Sequence, residues 1–220
     1  GTTNRSANIS TTGNQTYAGA ITLGSNAVLL ATDNTAIITA NSSINSDSTA
    51  RGLTLNSSGG GTVVFNGAVG NSAALANMTV NASAMTLNGS SVNTTGNQTY
   101  TGPITLGANT NLLASAANAI IEVANTIAGD TAATRSLNII SSGSGGSVRL
   151  NGAIGTTSLS TVNVTGSTIA LNGATVNSSG NQTYAGAMTL GADATAQATA
   201  NNAVITAGGA INSDGSPRSL

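Results

Sequence analysis

Apolar residues in this chain alternate with polar residues over short runs. In the run ITL, Ile21 and Leu23 would lie on one side of an extended chain and Thr22 on the other. In the run TVVF, Val63 and Phe65 share a side in the same way. A period of two over a few residues predicts short β-strands with one buried side. The alanine-rich stretches are interrupted by Asn, Thr and Gly, which are poor helix formers, so no helix is predicted.

One difference between matching segments indicates which side of the strands faces solvent. The segment SVRL aligns with TVVF, and Arg149 stands where Val64 does. A charged side chain is almost never fully buried without a partner. We therefore expect the middle position to face solvent, with Val148 and Leu150 facing the core.

A long repeat organises the chain. The pentapeptide GNQTY occurs three times, beginning at Gly13, Gly96 and Gly180. The flanking segments align in the same register and give a unit of 83–84 residues. Self-similarity at a fixed period is the sequence signature of a repeat architecture. We therefore interpret 1–220 as one segment of about 2.6 imperfect units: a first unit at 1–93, a second at 94–177 and a partial third at 178–220.

A finer beat lies inside each unit. An Asn-Gly pair follows a hydrophobic residue at Asn66 and Gly67, Asn88 and Gly89, Asn151 and Gly152, and Asn172 and Gly173. Both residue types tolerate left-handed backbone angles, so these pairs predict turns. Their spacings of 22 and 21 residues divide the unit into about four coils. The prediction is an all-β protein, a parallel β-solenoid of about ten coils of roughly 20 residues, in which each coil buries its apolar side against its neighbours.

The composition narrows the possible functions. The chain is 39% hydrophobic, 5% charged and 2% aromatic, with no Cys or His and a net charge of -1. Such a charge offers no electrostatic footprint for nucleic acid, and no apolar run approaches the roughly 20 residues of a membrane helix. Without His or Cys, the common nucleophile-and-base sets and metal sites cannot be built. Glu122 is the sole Glu and Lys is absent. We expect no enzyme activity, no cofactor and no metal.

All three tyrosines fall in the recurring pentapeptide, at Tyr17, Tyr100 and Tyr184. With four coils to a unit, they would recur about 19 Å apart along the solenoid. They could be inward plugs at a wide corner, or outward steps of an aromatic row that stacks on sugars. The sequence alone leaves their orientation open.

Most of the charged residues recur as well. Six of the eleven form an Asp followed four or five residues later by an Arg: Asp47 and Arg51, Asp130 and Arg135, Asp214 and Arg218. We interpret each as an ion pair that pins a loop. A calcium row is the alternative, but calcium takes six to eight oxygen ligands, and one Asp per unit beside an Arg is poor equipment. The pentapeptide also contains an Asn-x-Thr glycosylation pattern, which an Asn- and Thr-rich chain produces by composition alone; we interpret Asn as a residue of turns and stacked amide ladders.

The units GNQTYAGAITLGSNAVLLA, LTLNSSGGGTVVFNGAVG and MTLNGSSVNTTGNQTY together resemble the shaft of filamentous-haemagglutinin-like adhesins, the exoproteins of two-partner secretion. The resemblance implies a right-handed β-helix, export from a Gram-negative bacterium and a secreted rod at the cell surface. The amino-terminal secretion domain and the Asn-Pro motifs of that family have no counterpart in these residues, whose prolines are Pro103 and Pro217.

From these observations we expect a non-catalytic structural shaft that holds a binding tip away from the cell or builds a filament or matrix. The expected partners are further copies, stacked end to end or laterally, and host or matrix glycans, without nucleic acid and without membrane insertion. The chain stops in mid-unit at Leu220, which favours a piece of a longer array or a self-stacking filament subunit. A glycan-binding solenoid is the alternative. Ice binding and a β-helical enzyme are weaker hypotheses.

Overall fold

The strands predicted from the alternating pattern are present, and they build a parallel β-solenoid. The computed structural model describes residues 3–5, 8–173 and 175–220; for residues 3–5 and for Ser58 it describes the backbone alone. None of the described residues is helical, so within the described ranges no helix is long and apolar enough to cross a membrane.

In chain order the strands are β1 (Thr3–Arg5), β2 (Ile9–Thr11), β3 (Gln15–Tyr17), β4 (Ile21–Leu23), β5 (Ala27–Ala31), β6 (Ile37–Ala40), β7 (Ile44–Ser46), β8 (Leu53–Phe65), β9 (Met78–Leu87), β10 (Ser91–Thr94), β11 (Gln98–Tyr100), β12 (Ile104–Leu106), β13 (Thr110–Ala114), β14 (Ile120–Val123), β15 (Ile127–Gly129), β16 (Ser136–Ser141), β17 (Ser147–Leu150), β18 (Ile154–Leu159), β19 (Thr161–Leu171), β20 (Thr175–Ser178), β21 (Gln182–Leu190), β22 (Thr195–Ala198), β23 (Ile205–Ala207) and β24 (Ile211–Ser213).

Each strand pairs in parallel with the strand one turn later, which divides the solenoid into three faces. Face A contains, in order, β1, β4, β7, the bridge residue Val69, β10, β13, β16, residues 161–165 of β19, residues 182–185 of β21, and β23. Face B contains β2, β5, residues 53–57 of β8, residues 78–82 of β9, β11, β14, β17, residues 168–171 of β19, residues 187–190 of β21, and β24. Face C contains β3, β6, residues 62–65 of β8, residues 84–87 of β9, β12, β15, β18, β20 and β22.

The solenoid has about nine turns of roughly 23 residues, slightly fewer and longer than the ten coils of 20 expected from the sequence. The reason lies in the uneven length of the turns. Paired residues are separated by as few as 18 positions, from Thr3 to Ile21, and by as many as 27, from Thr110 to Leu137. The Asn-Gly pairs mark turns of 21 and 22 residues, which are shorter than the average.

The core is a stack of inward-facing side chains at the same position on successive turns. On face B, Leu55, Val80, Tyr100, Val123 and Leu150 follow one another in register, and each is at most 1% exposed. Burial of one such side chain contributes about 1.5–3 kcal/mol. Because each strand is only a few residues long, the core is narrow and leaves room for mostly aliphatic side chains.

The sequence repeat does not span a whole number of turns. Tyr17 lies on face C in the first turn, Tyr100 on face B in the fifth, and Tyr184 on face A in the ninth. One unit therefore covers three and two-thirds turns, and each copy of a repeated residue is carried to the neighbouring face. The expectation of four coils to a unit, with tyrosines in a single row, is wrong. A step of 83–84 residues divided by roughly 23 residues a turn gives this fraction.

Candidate functional site

The pentapeptide builds a buried corner that we call the Gln–Tyr clasp, formed by Gln98 and Tyr100 and their partners in the second unit. Gln98 Nε2 donates to the carbonyl oxygens of Val92 at 3.1 Å and Leu113 at 2.8 Å, and to Thr94 Oγ1 at 3.2 Å. Gln98 Oε1 accepts from the Tyr100 hydroxyl at 2.8 Å. Both side chains are 0% exposed. The clasp joins the strand before the corner, the strand after it and the next turn.

The same clasp forms in the other two units. Gln15 Nε2 reaches the carbonyl oxygen of Leu30 at 2.7 Å, and Gln182 Nε2 reaches that of Gln197 at 2.7 Å. The hydroxyl of Tyr17 donates to Gln15 at 2.7 Å and that of Tyr184 to Gln182 at 2.8 Å. The three clasps occupy the three different corners, because each unit advances by three and two-thirds turns. One local sequence thus folds identically at every corner, and the three corners are equivalent in geometry.

The remaining residues of the pentapeptide tie the corner to its surroundings. Asn14, Asn97 and Asn181 each accept, through Oδ1, the backbone N–H that begins the next turn, at 2.8–2.9 Å. The hydroxyls of Thr11, Thr94 and Ser178 donate to the carbonyl oxygen two residues later at 2.6–2.7 Å. The side chains of this motif are therefore committed to the scaffold.

The orientation of the tyrosines, open at the level of sequence, is inward. Tyr17 is 9% exposed, Tyr100 0% and Tyr184 2%. Burial raises the pKa of Tyr100 and that of Tyr184 above the usual value of a phenol. An outward aromatic row for stacking on sugars is excluded, because the rings are covered and lie on three faces.

The recurring Asp and Arg residues form a second set, the Asp–Arg clasps, which are exposed. Arg51 contacts Asp47 through two nitrogens at 2.9 and 2.8 Å, and Arg135 contacts Asp130 at 2.7 and 2.8 Å. In the third clasp the distances are 3.2 and 3.1 Å, between Arg218 and Asp214.

Hydrogen bonds from the arginine lower the pKa of each of the three aspartates, Asp47, Asp130 and Asp214. Each pair closes the loop that follows a strand: β7 on face A, β15 on face C and β24 on face B. The ion pairs predicted from the sequence are therefore formed.

The Asn-Gly turns stack into amide ladders at two corners. Asn88 Nδ2 donates to Asn66 Oδ1 at 2.7 Å, and Asn66 Nδ2 donates to Asn41 Oδ1 at 2.8 Å. In the second unit Asn172 donates to Asn151 at 2.7 Å, but Asn151 donates to Glu122 at 3.2 Å. The glycines are required by close approach: a Cβ at Gly67 would lie 2.3 Å from the Ser42 carbonyl carbon, and one at Gly89 2.2 Å from the oxygen of Gly67. Gly152 and Gly173 repeat this contact one unit later.

Face B carries one feature that does not recur. Glu122 and Arg149 lie on adjacent rungs and point outward, with Arg149 Nη1 3.9 Å from Glu122 Oε2. The Arg149 side chain is 50% exposed, as expected from its place in the alternating pattern. The corresponding residues of the first unit, Thr39 and Val64, are uncharged and lie on face C.

The most informative residues that the sequence did not single out are Gln15, Gln98 and Gln182. The signal was present, because Gln and Tyr are two residues apart in every pentapeptide and so lie on the same side of a strand. A glutamine on the apolar side of a strand needs buried partners. Those partners come from the preceding corner and from the next turn, and the sequence does not show which residues these are.

Among the residues that the structure describes, no group of three or more Asp and Glu side chains is placed to hold a metal ion. Comparison of the sequence with protein-family models, with curated proteins and with solved structures finds no match. The function must therefore be argued from the geometry of the chain.

Proposed function

We propose that this protein is a structural rod, the shaft of an extracellular adhesin or fibre, whose task is to span distance. The observation that carries the proposal is the Gln–Tyr clasp at each of the three corners. Its groups bond to the strand before, the strand after and the turn above, so it locks successive turns together. A module whose repeated polar groups are used in this way supports length and stiffness.

The dimensions agree with this role. Parallel strands lie about 4.8 Å apart, so nine turns give a rod of about 43 Å and each further unit adds about 18 Å. The outer surface is rich in Thr, Asn and Ser and bears few charges. A surface of this kind stays hydrated without a strong field of one sign.

Rod growth by whole units tests the proposal. A chain in which residues 94–177 are duplicated should remain strand-rich by circular dichroism and lengthen by about 18 Å in small-angle scattering. The matched control inserts 84 residues of a Gly/Ser linker at the same place, which should add flexible chain without strand signal. A duplicated chain that does not lengthen by this step contradicts the rod.

The cellular setting is part of the proposal and is supported by the resemblance to filamentous-haemagglutinin-like shafts. We place the rod outside a Gram-negative cell, secreted or held at its surface, where it carries a binding tip or forms a matrix with further copies. Antibody labelling of intact cells, compared with permeabilised cells, tests this location; labelling confined to permeabilised cells contradicts it.

A further inference from the structure

A small apolar surface lies on face C of the first unit. It consists of the outward residues of three successive rungs, which we call the Ile37 patch: Ile37, Thr39, Thr62, Val64, Ala84 and Thr86. Ile37 is 38% exposed and is one of the few large apolar side chains that reach solvent. The row continues with Thr105 on the next turn. No charged residue lies on these strands.

The second unit holds the corresponding surface on face B, the Glu122 patch: Ile120, Glu122, Ser147, Arg149, Thr168 and Ala170. The backbone ladder is the same, but Glu122 and Arg149 replace Thr39 and Val64. Covering this patch would remove both charges from water, which is costly. Charges on exposed strands also suppress contact between sheets. The architecture therefore does not require the apolar residues of the Ile37 patch, and their presence has another use.

We propose that the Ile37 patch is a lateral contact surface whose partner is a second copy of this chain. The rungs are about 4.8 Å apart, and a solenoid of equal pitch matches them at every rung. The chain itself is such a partner. Its net charge of -1 brings little repulsion on close approach. The inference rests on the proposed role as a rod and deepens it, because a rod with such a patch associates side by side.

The size of the patch sets the strength of the contact. Three rungs with two outward positions each cover on the order of 200 Å², far less than the roughly 800 Å² per partner of a stable interface. A single contact is therefore weak and transient. It becomes effective when several are made together between neighbouring rods.

Cross-linking can trap a weak contact, and the chain offers a clean background because it has no cysteine. Thr62→Cys places one thiol in the centre of the Ile37 patch, and Ser147→Cys places one at the matching position of the Glu122 patch. With a short bis-maleimide at equal protein concentration, Thr62→Cys should give at least five-fold more covalent dimer than Ser147→Cys. Equal yields from the two variants overturn the inference.

Exchanging the charges sharpens the test. Thr39→Glu with Val64→Arg, introduced into the Thr62→Cys chain, should lower its dimer yield to that of Ser147→Cys. The matched control is Thr183→Glu with Thr206→Arg, which are adjacent rungs on face A, and it should leave the yield unchanged. A loss of yield in both double variants would overturn the inference, because it would show general repulsion. Small-angle scattering of the same samples separates the two proposals: an elongated monomer without selective cross-linking rejects the patch alone, and a compact particle rejects the rod and the patch together.

Discussion

The Gln–Tyr clasps and the Asp–Arg clasps recur at the same interval, but they lie in opposite environments. Gln98 and Tyr100 are 0% exposed and bond only to protein groups. The side chains of Arg135 and Asp130 are 29% and 37% exposed. Buried polar groups are costly when a partner is removed, whereas exposed ion pairs contribute little. Equal recurrence in sequence therefore does not mean equal weight in stability.

The largest effect is expected when the buried amide is removed. Gln98→Ala leaves the Tyr100 hydroxyl and the carbonyl oxygens of Val92 and Leu113 without their partner, and should reduce the local free energy of unfolding by about 3–5 kcal/mol. Because repeat arrays can open segment by segment, native-state hydrogen exchange is the suitable measurement.

Two further variants separate the hydrogen bonds from the volume of the side chain. Gln98 lies in register between Met78 and Ile121, so Gln98→Met fills the same space and should recover part of the loss. Thr99→Ala, on the outward side of the same strand, should change the free energy by less than about 1 kcal/mol. If Gln98→Ala had no larger effect than Thr99→Ala, the clasp would not hold the turns together.

An intermediate effect is expected from the tyrosine hydroxyl. Tyr100→Phe leaves Gln98 Oε1 unpaired and should cost about 1–2 kcal/mol near neutral pH. Burial raises the pKa of Tyr100 in the folded protein, so above about pH 10 the unfolded chain loses this proton and the folded chain keeps it. The phenol therefore lowers stability as pH rises, by about 1.4 kcal/mol per unit. Denaturant midpoints between pH 9 and pH 11 should fall less steeply in Tyr100→Phe; an unchanged slope contradicts the buried phenol.

The smallest effect is expected from the exposed clasp. Asp130→Asn removes the ion pair with Arg135 and should shift the neutral-pH denaturant midpoint by much less than either clasp variant above. The pKa of Asp130 is lowered in the folded protein, so its contribution is present above pH 4 and is lost as pH falls through the folded value. The variant should therefore show a slightly flatter acid dependence. A midpoint shift as large as that of Gln98→Ala would reverse the comparison.

The fold was accessible from the sequence because a solenoid is built from local signals. Alternation at Ile21 and Leu23 predicts a strand, the Asn-Gly pairs predict turns, and the recurring pentapeptide predicts stacking. The number of residues per turn was less accessible, because the short turns carry Asn-Gly pairs and the long turns have no such marker. Pairs such as Thr110 with Leu137 are set by the loops that happen to be accommodated at a corner.

The clasp was only partly accessible for a related reason. The sequence places Gln98 and Tyr100 on one side of a strand, but the third partner is the carbonyl of Leu113, fifteen residues later. That contact depends on the register between turns, which needs the whole turn length. An error of three residues per turn, as between 20 and 23, moves the tyrosines from three faces onto one. The row of aromatic rings was the consequence of that error.

The three and two-thirds turns of a unit make the molecule a screw. Successive copies of any surface group are related by a shift along the axis and a rotation of one third of a revolution. In an array of such units, a group returns to the same azimuth only after three units, which are eleven turns or about 53 Å. A flat partner lying against the rod would meet every third copy, whereas a partner that winds around the rod would meet them all.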